Sequence, residues 1–150
     1  MNRIQDALPG SQEDTRPIWM SNHQVERGDI VYGDKKYDYT VLKKVVNPAL
    51  PGFLGVFNGH YLISEEVPEA FRIPQLLHEV IETTELAGQK GRCLAALQRE
   101  LATISDEMRL TYIPYRRDFF ERLLVFAEQT KRDEDSLTEI RAALAYLRML

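Results

Sequence analysis

A chain of 150 residues with a formal net charge of −4, its acidic and basic side chains interspersed, is long enough for one hydrophobic core and has no general attraction for nucleic acid or anionic membranes. Hydrophobic content of 44% and charged content of 28% are ordinary for a folded protein, and no apolar run approaches the length of a bilayer span. The single cysteine, Cys93, excludes an internal disulfide, no apolar signal segment is visible, and the expected compartment is the cytoplasm.

Residues 1–24 are polar, contain Pro9-Gly10 and Pro17, and show no sustained periodicity. They are expected to form a flexible N-terminal arm, with Ile18, Trp19 and Met20 available to dock onto a single domain spanning 25–150. Asp29-Ile30-Val31-Tyr32 reads as a short strand and Gly33-Asp34-Lys35-Lys36 as turn residues. Residues 37–46, rich in aromatic and β-branched types, predict a longer strand. Two prolines and a glycine in 47–52 break that ladder. Phe53-Leu54-Gly55-Val56-Phe57 and His60-Tyr61-Leu62-Ile63 then flank Asn58-Gly59, which tolerates the positive φ angles of a type I′ turn and predicts a hairpin.

The period now changes from two to 3.6. Pro68 suits a first helical turn and Glu69 the positive end of its dipole. Ile73, Leu76, Leu77, Val80, Ile81 and Thr84 form one apolar stripe, and Gly88 suits the stop. A second helix is expected over 89–103, with Leu94, Leu97 and Leu101 inward. A third is expected over 115–129, with Phe119, Leu123 and Phe126 on one side and Pro114 at its start. Ser136-Leu137-Thr138-Glu139 reads as a capping box opening a last helix, with Leu137, Ile140, Leu144 and Leu147 inward. Strands first and helices after define an α+β class: a small antiparallel sheet with a hairpin, then about four helices.

One run carries chemistry. In His78-Glu79-Val80-Ile81-Glu82, four residues turn about 400°, so His78 and Glu82 lie roughly 40° apart on a helix and reach a common point. Imidazole and carboxylate are both ordinary zinc ligands, and a catalytic zinc takes three protein ligands and keeps one position open. Glu79, roughly 100° from His78, sits where a glutamate takes a proton from water without binding the metal. The third ligand is open between Cys93 and Glu100 on the next helix and His60 beside the hairpin turn. The bland readings are a solvated acidic face for His78 and Glu82, a small buried hydrophobe for Cys93, and an exposed strand residue for His60. Tyr112 and Tyr115 offer a phenol to a substrate carbonyl or cover the core edge. Arg116-Arg117 offers an anion site or lies on an exposed helix start.

With a hairpin feeding a helix that carries His78-Glu79-x-x-Glu82, residues 59–100 resemble the core of small zincin-like, metalloprotease-like domains, as an H-E-x-x-E variant of H-E-x-x-H. The resemblance implies zinc-dependent, peptidase-like hydrolysis with His78 as ligand and Glu79 as general base. Glu82 departs from the commoner histidine, and a degenerate, non-catalytic zincin-like protein is the alternative form. The competing class is a non-catalytic interaction or self-associating scaffold. Leu137, Ile140, Leu144, Leu147 and Leu150, with Ala142, Tyr146 and Met149 beside them, give the C-terminal helix a stripe for a homodimer, a protein partner or the third helix. Nucleic-acid binding has only the pairs Lys35-Lys36, Lys43-Lys44 and Arg116-Arg117 behind it, too short against the acidic balance.

Overall fold

Two hairpins build the sheet, and residues that tolerate a left-handed backbone set both. In the computed structural model, which describes residues 16–150, β1 (Gln24–Tyr32) and β2 (Lys35–Leu42) turn at Gly33, with φ 66°. β3 (Leu54–Phe57) and β4 (His60–Ser64) turn at Asn58 and Gly59, with φ 49° and 81°, the two positive angles that a type I′ turn needs. The hairpins join through β2 and β4, which run parallel with Tyr39 opposite Tyr61, in the order β1-β2-β4-β3. The sheet is therefore mixed, not antiparallel as expected. The proline-containing link carries the chain past β4's position, so the second hairpin returns its second strand, not its first, to β2. Strand β2 also stops short of Val46: Lys44–Val46 coils into a 3-10 turn whose Lys44 N–H donates to Glu65, 2.8 Å away.

Of the segment expected to be an arm, residues 1–15 lie outside the described residues. Residues 16–24 are built into the domain. Helix α1 (Ile18–Asn22) buries Met20 with Leu42, Leu50 and Phe53. Arg16 donates to Gln24 at 2.7 Å and Thr40 at 3.0 Å, and Trp19 stands edge-on to Phe57, ring centres 5.4 Å apart.

Helix α2 (Glu69–Thr83) lies across the sheet, with Leu76 and Val80 against Val41, Tyr61 and Ile63. Its other flank meets α3 (Arg92–Ala102), where Ile81 packs on Ala96. Helices α4 (Asp106–Gln129) and α5 (Glu134–Arg148) complete a second core, with Leu97, Leu101, Phe119, Phe120, Ile140 and Leu144. The C-terminal stripe is largely taken up here: Leu137, Ile140, Leu144 and Leu147 are buried, while Met149 and Leu150 face outward. Among the described residues no helix is long and apolar enough to cross a membrane.

Three helix starts differ from expectation. Helix α4 begins nine residues before Tyr115, at Asp106, because Ser105 Oγ accepts the Met108 N–H at 3.1 Å and the helix runs on through Pro114. Helix α3 begins at Arg92 because Gly91, at φ 74°, interrupts the run before it. Helix α5 begins at Glu134 under an Asp133 cap that accepts the Ser136 N–H at 2.8 Å; the Ser136–Glu139 capping box does not form.

Candidate metal centre

The apolar stripe of α2 accounts for one face only. Gln75 and His78 project from the flank that meets α3 and α4, so His78 is 3% exposed, and the solvated-face reading is excluded for it. Its two ring nitrogens meet different groups. Nε2 lies 3.3 Å from Glu82 Oε1, one helical turn on, and 3.9 Å from Cys93 Sγ on α3. Nδ1 lies 2.8 Å from Glu100 Oε1, a charge contact whose direction is out of line for an N–H···O hydrogen bond.

One ligand atom from each of His78, Glu82 and Cys93 falls within 4.8 Å of the other two. A tetrahedral zinc bonded at about 2.0–2.3 Å holds its ligands roughly 3.3–3.8 Å apart. The donor set suits a metal such as zinc, and the two spacings from His78, 3.3 Å to Glu82 and 3.9 Å to Cys93, lie near that range. The helix turn brings Glu82 under His78, as the wheel anticipates. Cys93 is placed by a contact that sequence does not reveal: Glu139 on α5 accepts the N–H groups of Gly91 at 2.6 Å and Cys93 at 2.9 Å, fixing the first turn of α3.

Behind the imidazole lies a fully buried ion pair. Glu100 accepts from Arg116 Nε at 2.7 Å and Nη2 at 2.9 Å, and from the Tyr112 hydroxyl in a short contact. Arg116 also donates to Gln75 Oε1 at 3.4 Å and lies over the Phe120 ring at 4.8 Å. Burial opposes ionisation of Glu100, but Arg116 and His78 outweigh it and hold the carboxyl below its ordinary range. Burial likewise disfavours an imidazolium at His78; Cys93, Glu100 and Glu82 together outweigh it and hold the ring well above its ordinary value. Burial raises the Cys93 thiol, with His78 opposing. Burial, then the Glu82 charge, raises the Glu79 carboxyl.

A cavity of about 230 Å³ opens in front of the cluster, and His78, Glu79, Glu82 and Cys93 all line it. The remaining candidates lie elsewhere. His60 on β4 pairs with Asp38 at 3.1 Å. Glu100 faces Nδ1, on the opposite side of the ring from Glu82 and Cys93. Tyr112 is bonded to Glu100 rather than presented to a substrate, and Arg116 is a buried partner, not an exposed anion site. The sequence does carry a trace of this pair: Glu100 falls in register with Leu97 and Leu101, and Arg116 with Tyr112, Phe119 and Phe120, so each is a charge on an apolar stripe. In comparisons with known proteins, no family model, no curated protein and no solved structure matches the chain.

Proposed function

We propose that this protein is a small zinc-dependent hydrolase of zincin-like type, with His78, Glu82 and Cys93 as ligands and Glu79 as general base. The observation that carries the reading is the two-sidedness of His78. Nε2 faces the other two ligands while Nδ1 lies 2.8 Å from a carboxylate, close to the arrangement in which a second carboxylate orients a metal-binding imidazole, and a small turn of the ring would bring the N–H into line. Glu100, held by Arg116 and Tyr112, is a positioning residue in this scheme. Zinc bound there supplies Lewis acidity and activates water near neutral pH. Glu79, on the cavity wall with its carboxyl above the ordinary range, accepts the proton of the water that adds to an amide carbonyl. It returns that proton to the amine as the C–N bond breaks.

Elemental analysis of untagged, zinc-loaded protein is expected to give about one equivalent of metal, the complement of a single three-ligand site. His78→Ala, Glu82→Gln and Cys93→Ser are each expected to lose it, while Glu79→Gln keeps the metal and loses peptide hydrolysis. Zinc-free wild-type protein after loading removes the reading.

A second reading has its own support. An imidazolium at His78 is matched by Glu82 and Glu100 without any metal, which makes the cluster a structural tie between α2, α3 and α4 in a non-catalytic scaffold. The same zinc measurement separates the two.

A further inference from the structure

Three arginines line the same cavity: Arg116, which is paired with Glu100, Arg92 at the start of α3, and Arg132 between α4 and α5. Among the described residues neither Arg92 nor Arg132 meets a carboxylate at ion-pair distance, and Arg132 instead lies 5.8 Å from the centre of the Phe126 ring. Of the three acids on the cavity wall, Glu79 feels the charge of Arg92 without pairing with it, and the other two are engaged otherwise. The two oxygens of Glu139 accept the Gly91 and Cys93 N–H groups, and Glu82 faces His78. The lining also has apolar side chains, among them Leu50, Leu54, Leu123 and Ile140. At about 230 Å³ the cavity falls below the range of about 300 to 1,000 Å³ of most ligand sites, so it suits a ligand of a single residue, free or at a chain end, better than a length of polypeptide.

Guanidinium groups with no carboxylate at ion-pair distance can take one from a ligand, which they bind through paired, charge-assisted hydrogen bonds. We propose that Arg92 and Arg132 form a carboxylate-recognition site, and that the ligand is an N-acylated apolar amino acid, free or as the last residue of a peptide. Its carboxylate lies on Arg92 and Arg132 and its side chain against the leucines of the lining. Its amide is presented to Glu79. The inference rests on the zinc-hydrolase reading only for calling this ligand a substrate.

The test is calorimetric titration of the full chain with N-acetyl-leucine, N-acetyl-leucinamide and a tripeptide ending in leucine. Metal-free protein is titrated as well as zinc-loaded protein, because a carboxylate also coordinates zinc. In both forms the acid is expected to bind about tenfold more tightly than the amide, the worth of a charge-assisted contact. The double variant Arg92→Gln, Arg132→Gln is expected to lose that preference with zinc content unchanged. Equal binding of acid and amide, or a preference that survives in the double variant, overturns the proposal. Tripeptide binding as tight as that of the acid assigns the site to chain ends; tight binding of the acid alone assigns it to free N-acyl amino acids. A preference that persists in a protein taking up no zinc supports the carboxylate site and removes the hydrolase reading alone.

Discussion

Glu100 serves two groups at once, an imidazole and a guanidinium, and is itself fully buried. Replacing it with glutamine leaves Arg116 buried without a counter-charge, an arrangement that costs about 3–5 kcal/mol. Urea unfolding of Glu100→Gln is expected to show a loss of that size, and Tyr112→Phe a loss nearer 1.5–3 kcal/mol, about the worth of one hydrogen bond to a charged group. The pH dependence follows from the direction of the shift. A carboxyl held below its ordinary 4.5 stabilises the fold fully above that value and loses its contribution as pH falls through the lower folded one. The gap in melting temperature between wild type and Glu100→Gln is therefore expected to narrow below about pH 4.5. A gap that stays constant with acid would show that the carboxyl is not ionised in the fold. His78 runs the other way: metal-free protein is expected to lose stability as pH rises above 6.5 towards the raised folded value. The motif on α2 was legible because one turn of helix fixes His78 against Glu82. The partner of its other nitrogen was not, since Glu100 and the Arg116 that holds it lie 22 and 38 positions further along the chain and only packing brings them back.

At the scale of elements, local chemistry decided which boundaries could be read. Asn58-Gly59 fixes a turn by its own backbone preferences, so the β3–β4 hairpin was plain. Pro114 was misleading: it removes one donor, but Leu110, whose carbonyl loses that partner, is 78% exposed and open to water, and α4 continues through. Pro114→Ala restores the donor and is expected to stabilise the protein by about 1–3 kcal/mol in chemical denaturation, given the low helix propensity of proline. No gain would mean that α4 is bent there to fit its neighbours. Glu139 matches the expected capping box in sequence, yet its carboxylate serves α3 rather than its own helix. Glu139→Ala is accordingly expected to cost about 1 kcal/mol of stability, the usual worth of a cap, and to weaken zinc uptake by releasing Cys93. Unchanged zinc affinity would sever that link between α5 and the site.

For the molecule as a whole, α2 is the shared wall, packed on the sheet through Leu76 and Val80 and on the helical half through Ile81 and His78. The strands-then-helices order made the class readable, but not the parallel β2–β4 seam, which depends on how two hairpins meet. The only tryptophan in the chain, Trp19, stands against Phe57 at the sheet end, far along the chain from α3, α4 and α5. The two halves therefore carry separate optical reporters: indole emission follows the α1–β3 contact, and far-ultraviolet circular dichroism follows the helices. With α2 common to both, the two signals are expected to trace a single urea transition. Emission changing at lower urea than dichroism would mean that the sheet end opens while the helices stay folded.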